Sequence, residues 1–201
     1  GGLELRKADR AQIKAMYKSH VEYLDTMIGV YLQELEKNKM LEDTLIVLTS
    51  DHGEELFDHD NLGHGRSLYA EQTRVPLMMS FAKALPSGQR IDQEIESIDL
   101  ATTILSIAGI SMPEKMQGAD LRHLIRHSHI TPLRPSFMRL GEVGVGVQMN
   151  GAKMILRYGS KHQLYDLKND PSEQENLYGE RFVLGRALKD ALGFHLAYEQ
   201  L

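Results

Sequence analysis

The sequence predicts an α/β fold, with a layered α/β part followed by a small antiparallel sheet and a closing helix. Three observations carry the prediction. A long series of apolar residues at helical spacing is followed by two short apolar runs without polar alternation, the pattern of strands buried on both faces of an α/β sheet. Beyond residue 136 the apolar period changes to two, around an Asn-Gly turn. The chain then ends in a stretch that returns to helical spacing.

Taken in order, Asp9 and Gln12 have the spacing of a capping box. Behind them Ile13, Tyr17, Val21, Leu24, Ile28, Tyr31 and Leu35 recur at steps of three and four. That predicts an amphipathic helix over 9–39. Leu45-Ile46-Val47-Leu48 is the first buried strand and runs into Thr49-Ser50-Asp51-His52-Gly53. Residues 54–73 are polar and rich in Asp, His and Gly, so a loop is expected at the strand's carboxyl end, where open α/β sheets bind ligands. Val75-Pro76-Leu77-Met78-Met79 is the second buried strand, with Pro76 near its start, where a missing donor is tolerated. Pro86-Ser87-Gly88 forms a turn, 94–98 a short strand, and Asp99 an N-cap for a helix over 100–108 that Gly109 stops.

Residues 109–136 hold Pro113, Pro132 and Pro135 and little periodicity, so a connector is expected there. His123, His127 and His129 lie in it and read as connector residues in preference to a metal cluster. Val143, Val145, Val147 and Met149 then alternate with small and polar residues, Asn150-Gly151 makes a two-residue turn, and 153–158 is the return strand. Residues 163–167 add a third strand, Asn169-Asp170-Pro171 a turn, and 180–198 the closing helix. The expected division is therefore 1–110 for the α/β part, 111–136 for the connector and 137–201 for the small antiparallel part with its helix.

Composition narrows the function classes. The chain has 201 residues, a net charge of −5 and no basic run, which argues against a dedicated nucleic-acid binder. No apolar stretch approaches the length of about 18 residues that a membrane span needs. The absence of cysteine excludes a disulfide scaffold, a thiolate zinc site and a cysteine nucleophile within these residues. The opening Gly1-Gly2 is expected to be a cut or processed end.

The chemistry concentrates between Ser50 and Arg74. Asp51 and His52 stand side by side at a strand end, followed by Gly53, Glu54 and Glu55, then His59, His64 and Tyr69. A carboxylate and an imidazole there can face one pocket and offer oxygen and nitrogen to a divalent cation. Glu54 and Glu55 are either acceptors that orient His52 or solvated loop acids, and His59 lies in an Asp-His-Asp run more consistent with a plain surface segment than with an ion site. Arg74 is expected to anchor the loop on the sheet.

Several stretches resemble the sulfatase branch of the alkaline phosphatase superfamily. They are Val21-Glu22-Tyr23-Leu24-Asp25, Thr49-Ser50-Asp51-His52-Gly53-Glu54, His64-Gly65, Leu68-Tyr69 and Arg74-Val75-Pro76-Leu77. Ile98-Asp99-Leu100-Ala101-Thr102-Thr103, Met116-Gln117-Gly118, and Leu164-Tyr165-Asp166-Leu167-Lys168-Asn169-Asp170-Pro171 with Glu175-Asn176-Leu177 continue the match in the family's order. The resemblance covers only the family's C-terminal portion. It implies part of an alkaline phosphatase-like sheet with flanking helices. The family's paired Asp ligands and its Cys or Ser that becomes the formylglycine nucleophile are not in these residues, since no Cys occurs and no Ser stands in Ser-x-Pro-x-Arg.

The resemblance further implies that Asp51 and His52 are metal ligands, for calcium in sulfatases and for manganese or zinc in phosphotransferase relatives. His64 falls where relatives carry a Lys or His that contacts the ester, so it is the expected substrate contact and catalytic acid. The expected activity is hydrolysis of a sulfate ester by the parent protein, with this portion inactive without the missing N-terminal half. A phosphonate or phosphodiester hydrolase, or a phosphoethanolamine-type transferase, is the alternative within the superfamily. A non-catalytic interaction domain, with self-association through an uncovered apolar patch, is the alternative of another class. The compartment stays open, since relatives include exported (periplasmic or extracellular) and lysosomal proteins.

Overall fold

The computed structural model describes residues 5–126 and 134–198. Contacts group them into two compact units, one running to His64 and joined by Arg74–Ser87, the other formed by Gly65–Thr73 and the residues from Gly88 onward.

The first unit is built on a long helix, α1 (Lys7–Lys37), which begins two residues before the expected start. The capping box is displaced accordingly. Arg6 is the N-cap, and its backbone N–H donates to Asp9 Oδ2 at 2.9 Å, so Asp9 acts as the reciprocal acid three residues in. The apolar stripe at steps of three and four exists but is largely uncovered. Leu35 alone on α1 is buried, whereas Tyr17, Val21, Leu24 and Tyr31 are exposed.

A single 3-10 turn (Leu41–Asp43) leads into β1 (Ile46–Thr49), which pairs antiparallel with β4 (Leu77–Ser80) in register Ile46 with Ser80 and Thr49 with Leu77. The expectation that both strands are buried on both faces is corrected here. β1 is half-buried and β4 alternates half-buried with exposed, Met78 being 57% exposed. The physical reason is that, among the described residues, the two strands form a sheet by themselves and so are covered only in part.

The expected loop after β1 is more ordered than polar composition alone suggests. It folds into a minimal hairpin of β2 (Glu55–Leu56) and β3 (Leu62–Gly63), paired Glu55 with Gly63 and Leu56 with Leu62. Phe57 and Asp60 take left-handed backbone at its tip, with φ of 73° and 58°. The tip is tied to α1: Arg10 Nη1 donates to Asp60 Oδ1 at 2.9 Å, the same guanidinium lies 4.8 Å over the Phe57 ring, and Lys14 pairs with Asp58 at 3.5 Å. The acids flanking His59 thus dock the hairpin on the helix.

The second unit carries the larger core. β5 (Ser136–Leu140), β6 (Gly144–Met149), β7 (Ala152–Arg157) and β8 (Gln163–Asp166) form an antiparallel sheet in chain order. Asn150 and Gly151 have φ of 51° and 77°, the double left-handed pair that the Asn-Gly turn predicts. α5 (Phe182–Tyr198) lays Leu188 and Leu192 on Val145, Val147, Met154 and Leu164. Each such fully buried aliphatic side chain contributes about 1.5–3 kcal/mol. On the opposite face Ile155 and Tyr165 pack against Leu68 and Tyr69, just ahead of the short helix α2 (Ala70–Thr73).

A buried ion pair holds that second face. Lys153 Nζ lies 2.8 Å from Glu173 Oε1 and 3.3 Å from Thr73 Oγ1, while Glu173 Oε2 accepts the backbone N–H of Ala70 at 2.5 Å. Lys153 and Glu173 therefore grip both ends of α2. Burial pushes the Lys153 ammonium below its usual range, against the pull of Glu173.

The expected strand over 94–98 and the N-cap role of Asp99 are corrected as well. α3 (Ile98–Ile107) starts before Asp99, with Ser97 as its N-cap, and the residues ahead of it use side chains in place of a ladder. Buried Asp99 accepts from the backbone of Glu96 (2.9 Å) and Ala119 (2.7 Å) and from Arg134 Nη2 (2.8 Å). Glu96 Oε1 accepts Phe137 N–H at 2.8 Å, which ties β5 to the start of α3. Gly118 passes so close to α3 that a Cβ there would lie 2.2 Å from the carbonyl oxygen of Ile98. Gly109 ends the helix region with φ of 69°, as expected. The connector contains a short helix, α4 (Arg122–Arg126), while His127 and His129 lie outside the described residues.

Candidate functional site

The site is built in the first unit, from the end of β1 and the hairpin that follows it. β1 delivers Thr49, and the chain then turns sharply: Ser50 Oγ donates to the carbonyl of His52 at 2.7 Å, and His52 N–H donates to Asp51 Oδ1 at 3.0 Å. These local bonds hold the Asp51 and His52 side chains beside one another, with His52 Nε2 3.8 Å from Asp51 Oδ2. The Asp51 side chain is 88% exposed and that of His52 43%, so both remain open to a ligand.

His64 reaches the same place through the hairpin. Pairing of Glu55 with Gly63 sets residues 54 and 64 side by side at the open end of the ladder. His64 Nδ1–H donates to Glu54 Oε2 at 2.9 Å, and the His64 ring lies 4.1 Å from the His52 ring at 34°. Gly63 adopts φ of 93°, the left-handed region open to glycine, where the strand turns out toward His64.

The structure thus brings together Asp51, His52 and His64, the three expected site residues, and adds Glu54. Glu54 orients His64, not His52, so the role considered for it falls on the other imidazole. Glu55 is fully buried and accepts Asn61 Nδ2 at 3.1 Å, which makes it a strut of the hairpin. Arg74 is exposed and makes no hydrogen bond or ion pair among the described residues, so the anchoring role expected for it is not seen. Glu54 was legible only as an acid near the site. Its pairing with His64 depends on a hairpin whose strands of two residues are too short to leave a periodic signal.

The donor chemistry fits a divalent cation. A carboxylate and an imidazole within reach of one ion supply part of a coordination shell, and the remainder of calcium's about six to eight ligands has to come from elsewhere. An imidazole held by a carboxylate, as His64 is, can hydrogen-bond an ester oxygen or pass a proton to a departing alcohol.

Two family models match. One, "Sulfatase", covers residues 4–110, and the other, "N-sulphoglucosamine sulphohydrolase, C-terminal", covers residues 58–192. The chain belongs to the sulfatase family. It is 30% identical over 200 residues to an N-acetylglucosamine-6-O-sulfatase of Bacteroides thetaiotaomicron, covering 88% of this chain and 36% of that protein. It is 28% identical over 184 residues to mouse (Mus musculus) arylsulfatase K, covering 84% of this chain and 33% of that protein. The chain therefore spans about a third of the length of these curated relatives.

Among solved structures, one of a protein in complex with its substrate D-glucosamine-2-N,6-O-disulfate matches with a TM-score of 0.79 at 29% identity, over 87% of this chain and 38% of that one. The phosphonate monoester hydrolase of Agrobacterium radiobacter also has a TM-score of 0.79, at 21% identity, over 96% of this chain and 42% of that one. That second likeness concerns the fold alone. The mixed α/β architecture with its small antiparallel sheet is that of the C-terminal region of sulfatases.

Proposed function

We propose that this chain is the C-terminal portion of a hydrolase of sulfuric esters, supplying two calcium ligands and one substrate-contacting histidine to an active site completed by an N-terminal portion. The observation that carries the reading is the convergence of Asp51, His52 and His64 at the end of β1. Calcium bound there would stabilise negative charge on the nonbridging oxygens of the ester and on the formylglycine oxygen contributed by the N-terminal portion.

The chain's own residues do the rest. Asp51 and His52 would hold the cation from adjacent positions, because the Ser50 and Asp51 hydrogen bonds fix the turn. Glu54 holds the His64 Nδ1–H, which leaves Nε2 for the ester; the doubly protonated ring passes its Nε2 proton to the leaving alcohol and keeps the one on Nδ1. The amino sugars named with the N-acetylglucosamine-6-O-sulfatase and with the substrate-bound structure above support a carbohydrate sulfate as the ester. The uncovered apolar stripe of α1 supports the N-terminal portion as its cover, with self-association in its absence.

Calorimetric titration of calcium into the chain, wild type against Asp51→Ala with His52→Ala, tests the ligand assignment. Heat that disappears in the double variant supports it. Binding that survives unchanged in the double variant places calcium elsewhere and contradicts it.

A further inference from the structure

We propose that His52 and His64, with Glu54 holding the His64 ring, form a site for a zinc-class divalent ion, and that an ion held there withdraws His64 from the ester. The consequence for activity rests on the sulfatase reading, whereas the binding rests on geometry alone. One donor atom from each of the three residues lies within 4.8 Å of the other two. The two imidazole rings are 4.1 Å apart.

Each ring is already oriented as a metal-ligating histidine is. His52 Nδ1 lies 2.8 Å from the carbonyl oxygen of Gly53, and His64 Nδ1 lies 2.9 Å from Glu54 Oε2. Both oxygens only accept, so each neutral ring carries its proton on Nδ1 and its lone pair on Nε2. A carboxylate or backbone carbonyl on the far nitrogen is the partner that fixes tautomer and ring direction at metal sites. Among the described residues neither Nε2 has a hydrogen-bond partner.

Two imidazole nitrogens suit zinc and its neighbours, whereas calcium prefers oxygen throughout. Ligands of tetrahedral zinc with bonds of 2.0–2.1 Å stand about 3.3 Å apart. The His64 side chain is 55% exposed and turns about two torsions, which leaves it free to close the remaining gap. Asp51 is outside this trio. The zinc set and the proposed calcium pair therefore share His52 alone, so the two ions compete for one imidazole, and zinc also occupies the proton-transferring His64.

The test is calorimetric titration of zinc chloride into the full 201-residue chain, with cobalt(II) as a spectroscopic probe of nitrogen ligation. One zinc per chain is expected, with the dissociation constant raised at least tenfold in His64→Gln and in His52→Gln and changed less than twofold in Asp51→Asn. Glu54→Gln, which leaves both imidazoles in place, is expected to weaken zinc by a smaller factor and serves if a histidine variant does not fold. Wild-type zinc affinity in His64→Gln overturns the proposal, as does loss of zinc in Asp51→Asn, which would put the ion on the Asp51 pair. Calcium titrated into the same variants separates the two readings: calcium lost and zinc kept in Asp51→Asn supports both, while zinc that binds without any calcium site leaves this inference standing and counts against the calcium ligands.

Discussion

His64 is exposed on its side chain by more than half, yet its ring is pinned by Glu54 at 2.9 Å. A solvated pair of this kind contributes less than about 1 kcal/mol to stability. Its value lies in orientation. Glu54→Gln is therefore expected to leave the thermal unfolding midpoint of the chain almost unchanged while lowering turnover by the parent enzyme, and an unfolding midpoint that falls steeply would instead make Glu54 a structural residue. Removing the imidazole itself, His64→Ala, should lower sulfate-ester turnover about 10²–10⁴-fold, the usual contribution of a positioned general acid or base. Equal turnover by wild type and variant would remove His64 from the mechanism.

Asp51, His52 and His64 could be singled out because each sits in a stretch that resembles the sulfatase family's, and the structure places them near one another. The sequence did not make Glu54 legible. An acid ten residues from a histidine has no reason to be paired with it until the two-residue strands on either side of the Phe57 to Asn61 turn are seen to match up.

At the scale of elements, the Asn150-Gly151 hairpin and the Gly109 stop were readable, since both rest on left-handed backbone that few residue types accept. β5 was missed because Ser136-Phe137-Met138-Arg139-Leu140 follows a proline-rich connector and lacks clean alternation; Glu96 and β6 hold it in place. The segment 94–98 failed as a strand for the converse reason: Glu96 and Asp99 spend their carboxylates on neighbouring backbone and Arg134, which gives those residues an alternative to a ladder.

Two predictions belong here. Lys153→Met strands the Glu173 carboxylate in a site where both side chains are within 1% of full burial, and should cost about 3–5 kcal/mol in a denaturant titration. A cost below about 1 kcal/mol would mean that Glu173 finds water or a proton without strain. Asp120 tests the link between α3 and α4. Burial works against its charge, but the hydrogen bonds from Arg122 and Ser106 outweigh it and hold the carboxyl below its ordinary value of 3.8. A depressed acid adds stability above its unfolded value and loses it as pH falls through the lower folded one. The gap in unfolding midpoint between wild type and Asp120→Asn should therefore be full near neutrality and close as pH drops below about 3.8; a gap independent of pH would contradict the assignment.

For the whole molecule, the fold class was legible because period-two and period-3.6 patterns survive in any context, but burial was not. Tyr17, Val21, Leu24 and Tyr31 have the spacing of a buried helix face and are exposed, and Met78 is exposed on a strand that reads as core. An apolar pattern states that a face is to be covered, without naming what covers it. Light scattering on the purified chain should accordingly show association that Leu24→Lys with Tyr31→Glu abolishes, and a wild type that stays monomeric at high concentration would contradict the reading of that face.

The role proposed for this chain is to carry cation ligands and a proton-transferring histidine for sulfate-ester hydrolysis. Turnover of p-nitrophenyl sulfate and p-nitrophenyl phosphonate esters by the parent polypeptide, wild type against Asp51→Asn, tests it most directly. Sulfate release that prefers the sulfate ester and falls at least a hundredfold in Asp51→Asn is expected; a parent that prefers the phosphonate, or that hydrolyses sulfate equally well without the Asp51 carboxylate, would overturn the proposed role.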